Sequence, residues 1–407
     1  MATDEGLYET PLLVRAHPSP PVIEIMFTRI NRSSFQKPQN YWLACASELL
    51  RPPLSGFSRS WSAGPPTPPK TWRRGLLLGV NHIGDCLYLT PSLPALRSGL
   101  PDCEWFVAAP PPACEVFETN PHLKGCVRLD VAAAPFAQVR AELAAAGTFD
   151  VAIAYSNVRY WPHLLRLARL GIPNRVGYIH KGFSGLVTYP VTLRHPQPVP
   201  CYFRDLVSQL TGQPAEGSLR PQVFPTAADR HAAADCWQRL GLAGGLPVVM
   251  CFCTSRQPTG VWPLEKFAET LRLLHQQGRV RIVLGGSTSD LTALERVRAM
   301  AGLECPVVAG DLSLRALVCF LERCAAVLAP DTGTRHLANA AGVPVVFVRN
   351  IYVNRIESGA YCPSERDVAP PVEFVPPTEQ AHWFEQIQPS VVVEALLRAV
   401  EARPSTH

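Results

Sequence analysis

The sequence predicts an α/β protein with two doubly wound, Rossmann-like domains that face each other across a cleft. Strand-length apolar runs alternate with helical stretches, as in parallel sheets covered by helices on both faces. The alternation stops once, at a polar, proline-bearing interval, and then resumes. Because ligands bind beyond the carboxyl ends of the strands in such sheets, each strand-to-helix joint is a candidate site.

The bulk composition fits this interpretation and excludes several functional classes. The chain has 407 residues, of which 47% are hydrophobic and 17% charged, so it is long enough for two hydrophobic cores. A formal net charge of +5 leaves room for an anionic ligand, but there is no basic run that indicates nucleic acid. No apolar window of about eighteen residues occurs, so no transmembrane segment is expected.

The cysteines and the amino-terminal stretch predict a cytoplasmic location. The 13 cysteines are an odd number without a CxxC spacing, and we expect buried thiols rather than disulfides or metal ligands. The start, "MATDEGLYETPLL", is acidic and lacks the basic flank and apolar core of a secretory signal.

Residues 1–72 show no alternation of strands and helices. Proline-rich stretches punctuate them, and only residues 39–50 have the pattern of a short helix. We expect an extension that ends in the linker "SAGPPTPPKTW".

Residues 73–215 form the predicted amino-terminal, acceptor-side domain. Its strands are expected at "GLLLGVN", "CEWFVAAP", "CVRLD" and "FDVAIAYS", and its helices at "LYLTPSLPALRSGL", residues 113–119, "PFAQVRAELAAAG" and "PHLLRLARLG". The interval 216–228 is the predicted linker.

Residues 229–388 form the predicted carboxyl-terminal, donor-side domain, and a helix is expected within 389–407. The strands "LPVVMCFCTS", "VRIVLGGS", "CPVVAG" and "VLAP" alternate with amphipathic stretches such as "PLEKFAETLRLLHQQG".

The stretch "APDTGTRHLANAAG" places polar residues where a strand passes into a helix. Thr332, Gly333 and Thr334 would form the first helical turn, whose amides and positive dipole end favour an anion such as phosphate. His336 could reach the same anion, whereas Asp331 would repel it and is better suited to a helix cap or a sugar hydroxyl. The alternative is structural: Asp331 is only an N-cap and His336 only a buried histidine.

Two further joints of the same half carry small polar residues. Thr254 and Ser255 follow one apolar strand, and Gly286 and Ser287 follow the next. Each joint alone is compatible with ordinary turn chemistry. Three polar joints on one ligand edge together favour a donor site that binds phosphate.

In the first half, Asp85 follows the first strand. A carboxylate facing an activated phosphate ester is placed to act as a general base, although Asp85 could equally be an N-cap, and His82 is a rival base. Lys181 and Arg175 are weak candidates for contacts with an acidic acceptor. Neither a P-loop nor a strand-linked GxGxxG is present, which argues against ATPase and dinucleotide-binding functions.

Three segments resemble the ADP-heptose:lipopolysaccharide heptosyltransferases, glycosyltransferase family 9, which have the GT-B fold. They are, in the family's order, "IGDCLYLTPSLPALRSGLP", "CTSRQPTGVWPLEKFAETL" and "PDTGTRHLANAAGVPVV". The resemblance extends from about Gly75 to the carboxyl terminus, and the last segment is the most specific.

The resemblance implies a metal-independent, inverting transfer of a heptose from an ADP-sugar to an acceptor hydroxyl. Asp85 would be the catalytic base, and Thr254 and Ser255 would lie near the donor phosphates. The donor's pyrophosphate and sugar would be held by Asp331, Thr332, Gly333 and His336. No cofactor is implied beyond the ADP-sugar co-substrate, and the acceptor could be a glycan, a lipid-linked molecule or a small molecule.

One position departs from the family pattern. Gly260 stands where members often have a lysine that offsets diphosphate charge, with Arg256 or Lys266 as substitutes at different spacing. Two alternatives therefore stay open: a GT-B-like sugar-nucleotide epimerase, and a donor-binding protein that has lost turnover.

Overall fold

Two six-stranded parallel sheets organise the chain, which confirms the predicted fold class. The structure, a computed structural model, describes residues 38–78, 82–154, 160–194, 196–255, 261–351, 355–372, 375 and 379–403.

The strands divide equally between the two halves of the chain, and the sequence pattern had indicated most but not all of them. The first sheet contains β1 (Arg74–Leu78), β2 (Glu104–Ala109), β3 (Gly125–Arg128), β4 (Val151–Ala154), β5 (Asn174–Tyr178) and β6 (Tyr189–Val191). The second contains β7 (Val248–Phe252), β8 (Arg281–Gly286), β9 (Val307–Ala309), β10 (Ala326–Pro330), β11 (Val345–Val348) and β12 (Glu365–Val368).

The described residues also form sixteen α-helices and four short 3-10 segments. In the amino-terminal half the helices are α1 (Pro38–Leu49), α2 (Arg51–Ser60), α3 (Ile83–Leu89), α4 (Leu93–Gly99), α5 (Pro111–Cys114), α6 (Phe136–Ala146), α7 (Tyr160–Arg169) and α8 (Val199–Thr211). In the carboxyl-terminal half they are α9 (Ala227–Arg239), α10 (Leu264–Gln276), α11 (Leu291–Ala301), α12 (Leu314–Leu321), α13 (Gly333–Ala341), α14 (Arg355–Ser358), α15 (Gln380–Phe384) and α16 (Pro389–Ala402). The 3-10 segments are Pro69–Thr71, Thr90–Ser92, Ser184–Leu186 and Thr288–Asp290.

The strand order explains where a ligand site can form. The first sheet runs β3-β2-β1-β4-β5-β6 and the second runs β12-β11-β10-β7-β8-β9. The order reverses between β1 and β4 in one sheet and between β10 and β7 in the other. Parallel sheets bind ligands beyond the carboxyl ends of strands at such reversals, so the segments after β1, β7 and β10 are the expected site.

The two halves share part of their hydrophobic core. Leu87 of α3 and Val116 pack with the core on one face of the second sheet. The interval predicted as a linker is bonded to both halves, because Gln222 N donates to Thr90 Oγ1 at 2.8 Å and Arg220 Nη2 donates to Ala340 O at 2.7 Å. These contacts tie the interval to the carboxyl-terminal ends of α3 and α13.

The predicted extension differs from the structure over residues 38–72, which pack on the amino-terminal half. The expected helix is present as α1. Helix α2 was not predicted because its sequence contains two prolines, but both prolines lie in the first turn, where helices tolerate proline. The stretch expected as a free linker is bonded to the first sheet, since Thr67 N donates to Asn174 Oδ1 at 2.8 Å. Polar contacts of this kind have no hydrophobic periodicity that could signal them.

The expectation that no cysteine is paired was wrong for two of them. Cys114 of α5 and Cys126 of β3 form a disulfide, and their sequence separation of 12 residues matches no framework spacing. The other eleven cysteines are free, and all but Cys45 are buried, as expected.

Candidate functional site

The first joint places Asp85 in the opening turn of α3. The helix has His82 as its N-cap residue, so Asp85 is not the cap. The Asp85 side chain is half-buried, and no hydrogen bond to its carboxylate exists among the residues that the structure describes. Burial raises the pKa of Asp85 from 3.8 to about 6, which suits a group that must accept a proton near neutral pH.

The second joint lies at the start of α13, after β10. Thr332 is the N-cap residue, and no side chain in the described part of the chain caps the first turn. The Thr332 and Thr334 hydroxyls lie 2.9 Å apart. An uncapped helix start with two hydroxyls and Gly333 presents donors to an anion, as the sequence predicts.

Asp331 is held by a buried arginine that the sequence interpretation did not single out. Arg335 Nη1 donates to Asp331 Oδ1 at 2.7 Å, and Arg335 Nε donates to Glu365 Oε1 at 2.6 Å. Burial raises the pKa of Asp331, although Arg335 opposes the shift. The i, i+4 spacing of Asp331 and Arg335 is a recognisable helix ion-pair signal, whereas nothing near Glu365 in the sequence marks it.

Arg335 itself serves the fold rather than a ligand. Its side chain is fully buried, it donates to the carbonyls of Ser358 and Gly359 at 2.8 and 2.6 Å, and its guanidinium carbon lies 3.5 Å from the centre of the Phe347 ring. Desolvation disfavours the ion, but the two carboxylates more than compensate and raise its pKa. Arg335 therefore fixes Asp331 in one position.

The two joints touch through glycines. A Cβ on Gly84 would lie 2.8 Å from His336 Cδ2, and a Cβ on Gly333 would lie 3.4 Å from Gly84 N. Such distances leave no room for a side chain at Gly84 unless a neighbour moves. The glycines thus bring Asp85 of one half beside the start of α13 of the other.

His336 is buried between two tyrosines that the sequence did not indicate. Its ring centre lies 4.5 Å from that of Tyr88 and 5.6 Å from that of Tyr361, and its Nδ1 lies 2.8 Å from the Tyr361 hydroxyl. Burial, assisted by the charge of Arg335, holds the pKa of His336 well below its usual range, so the imidazole is neutral. Donor binding by His336 remains a prediction, now for an uncharged group.

Tyr88 marks the centre of this arrangement. It lies three residues after Asp85 in α3 and its side chain is buried. Burial raises its pKa, and Asp331 and Asp85 add to that shift while Arg335 opposes it. Charged groups from both halves of the chain therefore surround one phenol. In the sequence, only its position three residues after Asp85 could have indicated that Tyr88 belongs to the candidate site.

The other predicted donor residues lie at the neighbouring strand ends. Thr254 and Ser255 follow β7 and are half-buried, beside β10 in the sheet. Ser287 forms a capping box with Asp290, so its hydroxyl has a structural role that favours the turn interpretation. Gly286 ends β8, and a Cβ there would meet Asp290 Cβ at 2.9 Å.

The two weak acceptor candidates have different environments. Arg175 is 1% exposed and donates to Leu186 O at 2.8 Å and to the Ser58 hydroxyl of α2, so the structure does not support contact with an acceptor. Lys181 is half-buried. Burial lowers its pKa to about 8 against the opposing effect of Glu357 in α14, which places Lys181 at the boundary of the two halves.

Some expectations lie outside the described residues or describe absences. Gly260 and Arg256 lie in the undescribed segment 256–260, and Lys266 is 3.9 Å from Glu385. The described ranges contain no cluster of three or more metal-ligating side chains. None of their helices is both long and apolar enough to cross a membrane.

Comparison with known families identifies the chain's family. Residues 145–349, half of the chain, match the model of glycosyltransferase family 9 (heptosyltransferase). The chain belongs to glycosyltransferase family 9. Membership agrees with the resemblance that the three sequence segments indicate.

Individual proteins similar to this family-9 chain agree with its membership, and the solved structures among them share its fold. Lipopolysaccharide heptosyltransferase 2 of Salmonella typhimurium is 27% identical over 155 residues, which are 33% of this chain and 41% of the relative. A family-9 glycosyltransferase from Veillonella parvula superposes with a TM-score of 0.68 and 19% identity, covering 81% of this chain and 98% of that one. Escherichia coli heptosyltransferase WaaC, solved with ADP, gives a TM-score of 0.60 and 17% identity, with 80% and 99% covered. The chain spans less than half the length of the curated relatives that it matches.

Proposed function

We propose that this family-9 chain is an inverting glycosyltransferase that moves a heptose from an ADP-sugar to an acceptor hydroxyl. The acceptor oxygen attacks the anomeric carbon from the face opposite the leaving group, and its proton passes to the Asp85 carboxylate. The bond between the anomeric carbon and the phosphate oxygen breaks, and the electron pair leaves with ADP. The proposed step therefore assigns the acceptor proton to Asp85 and the leaving electron pair to ADP, and it needs no cofactor.

The observation that carries the proposal is the position and state of Asp85. Its carboxylate is half-buried and has a pKa of about 6, and its neighbour Gly84 touches the start of α13. A base with such a pKa is ionised at pH 7 and still accepts a proton readily. A purely structural aspartate would instead cap the helix or pair with a cation.

The donor side supports the proposal through the uncapped start of α13. Its first turn offers the amides and the Thr332 and Thr334 hydroxyls to the pyrophosphate of the donor, which the helix dipole favours. Asp331, held by Arg335, is suited to accept hydrogen bonds from sugar hydroxyls. ADP as the leaving group agrees with the ADP bound in the WaaC structure.

A thermal-shift titration with ADP, UDP, GDP and ADP-heptose tests the donor. A ligand that binds only the folded protein raises the midpoint, and the stabilisation grows with the logarithm of its concentration over Kd. We expect ADP and ADP-heptose to stabilise the protein selectively. Preference for UDP or GDP would contradict the donor assignment. Release of ADP from ADP-heptose in the presence of a heptose-free lipopolysaccharide core would then establish turnover, and the same assay with a chelator tests metal independence.

Gly260 favours a second candidate function, that of a donor-binding protein without turnover. The lysine common at this position in the family would neutralise the leaving diphosphate, and glycine cannot. Stabilisation by ADP-heptose without ADP release for any acceptor would favour this candidate. An epimerase would release a free sugar-nucleotide isomer without any acceptor.

The acceptor and the cellular location stay predictions. A glycan, a lipid-linked molecule and a small molecule are all compatible with a cleft between two domains. Ten buried free cysteines are consistent with a reducing, cytoplasmic location, whereas the Cys114–Cys126 disulfide is unusual for one. Thiol counting on protein isolated under acid quench would decide whether the pair is oxidised in cells.

A further inference from the structure

Helices α1 and α2 expose large apolar side chains to solvent. Trp42 is 68% exposed, Leu49 66% and Phe57 61%. The apolar extension face, as we name it, consists of Trp42, Leu43, Leu49, Leu50, Phe57, Trp61 and Trp161. Trp161 belongs to it because its ring stacks on Phe183, whose N–H is bonded to Ser47 of α1.

The exposed residues share one side of each helix. At about 100° per residue, positions 42, 43, 49 and 50 of the α1 region fall within an arc of roughly 120°. Phe57 and Trp61 are one turn apart at the end of α2, and their ring centres are 6.4 Å apart. Each helix therefore groups its exposed apolar side chains on one side instead of scattering them singly.

The side of these helices that contacts the protein combines apolar residues, such as the buried Ala44, with polar ones. Glu48 accepts from Ser184 N at 2.8 Å and from the Ser184 hydroxyl at 2.6 Å, and the buried Ser58 hydroxyl accepts from Arg175. These bonds hold the helices with their apolar side outward. Exposed apolar side chains grouped in this way indicate a partner.

Helices α1 and α2 carry a net positive charge. They contain Arg51 and Arg59 but only one carboxylate, Glu48, which is bonded to Ser184. Both arginines are exposed. Tryptophans beside arginines and lysines are the composition of protein surfaces that lie in the interface of an anionic bilayer.

The face also lies beside the edge where an acceptor would enter. Phe183 and Ser184, to which α1 is bonded, belong to the segment after β5, and α7 with Trp161 follows β4. Both segments leave the carboxyl edge of the first sheet. Lys181, at the boundary with α14, lies in the same segment as Phe183.

We propose that the apolar extension face docks on the surface of an anionic lipid bilayer. Tryptophan, leucine and phenylalanine side chains enter the interfacial region while Arg51 and Arg59 contact lipid phosphates. A second copy of the chain is a poorer occupant, because a symmetric contact would bring the same cations face to face. The proposal concerns binding alone and does not depend on the proposed transfer reaction.

Flotation of the full-length protein with vesicles tests the proposal. We expect it to float with phosphatidylcholine vesicles that contain one third phosphatidylglycerol and far less with pure phosphatidylcholine. The triple variant Trp42→Ser/Leu49→Ser/Phe57→Ser should lower the partition coefficient at least about tenfold. Arg51→Gln/Arg59→Gln should lower it severalfold for the anionic vesicles only.

A matched control comes from exposed apolar residues elsewhere. Leu246→Ser/Leu291→Ser/Val391→Ser removes side chains that are 45%, 39% and 50% exposed, and it should float like the wild type. Wild-type protein that does not float, or a triple variant that floats equally well, would overturn the proposal. So would a wild-type dimer that the triple variant converts to a monomer without any flotation, and so would flotation only after residues 1–37 are removed.

Discussion

The two strand-to-helix joints that meet between the halves each carry an aspartate, in opposite electrostatic settings. Asp85 has no hydrogen-bond partner in the described part of the chain, and burial alone raises its pKa to about 6. Asp331 is bonded to Arg335, which is bonded in turn to Glu365.

The difference separates a group that can change its proton from a group that can only hold a position. A carboxylate without a partner is costly to ionise and so is suited to proton transfer. Burial also raises the pKa of Asp331, but the permanently charged Arg335 opposes that shift and fixes the orientation of the carboxylate. Changes at Asp85 should therefore affect mainly the rate of transfer, whereas loss of the cation that holds Asp331 should affect mainly stability.

Asp85→Asn should give the largest effect on activity. It removes the proposed base and should lower the rate of transfer by about 10²- to 10⁴-fold, with donor affinity little changed. For the wild type, the rate should fall below pH 6 as Asp85 is protonated. Steady-state kinetics from pH 5 to 8 (about one pH unit below this pKa and about two above it) measure both.

The same variant should be more stable than the wild type at neutral pH. The folded pKa is raised above 3.8, so this group makes folding less favourable as the pH rises from about 4 to 6. Asp85→Asn removes that cost, about 2 to 3 kcal/mol at pH 7, and the gain should vanish near pH 4. Lower stability together with lost activity would instead indicate a structural aspartate.

Arg335→Met should give the largest effect on stability. It leaves Asp331 and Glu365 without their cation in the interior, at a cost of about 3–5 kcal/mol in the free energy of unfolding, measured by urea titration. Arg230→Met is the matched control, because its ion pair with Glu322 is exposed and should contribute less than about 1 kcal/mol. Equal effects of the two substitutions would contradict the special role of Arg335.

The fold could be predicted from the sequence, and candidate site residues could be proposed from it, for a physical reason. Buried parallel strands must be apolar throughout, so polar residues stand out where strands end. Asp85, Thr254 and Asp331 became candidates this way. The topology then brings their strand ends to the same edge.

The contacts that complete the candidate site could not be predicted from the sequence. Glu365 lies thirty residues from Arg335, and Tyr361 reaches His336 only through the fold. The docking of α1 and α2 depends on hydrogen bonds of Ser47, Glu48 and Ser58, which resemble ordinary surface residues in sequence. Pairings between distant polar groups leave no periodic pattern.

Gly84→Ala should sharpen the comparison by disturbing both joints at once. The new Cβ would lie 2.8 Å from His336 Cδ2, and His336 is held between Tyr88 and Tyr361, so the overlap should cost about 1–3 kcal/mol and raise the KM for the donor. Gly56→Ala is the control, since nothing lies within 4 Å of its Cβ position and the helix gains from alanine. An unchanged KM would mean that the two joints need not touch during donor binding.

Tyr361→Phe should give the smallest effect on activity, which should appear in donor binding and not in the rate of transfer. It removes the hydroxyl 2.8 Å from His336 Nδ1, a bond that contributes about 1 kcal/mol, so donor affinity should fall about fivefold. Because His336 is neutral in the folded protein, that loss should not vary between pH 5.5 and 7.5 (about one pH unit to either side of an ordinary histidine pKa), unlike the rate controlled by Asp85. Tyr189→Phe removes a hydroxyl bonded to Thr67 O, away from both joints, and should leave donor affinity unchanged while costing similar stability. Equal donor affinities for Tyr361→Phe and Tyr189→Phe would show that His336 serves packing only, and the difference between the two joints would then rest on Asp331 and the start of α13.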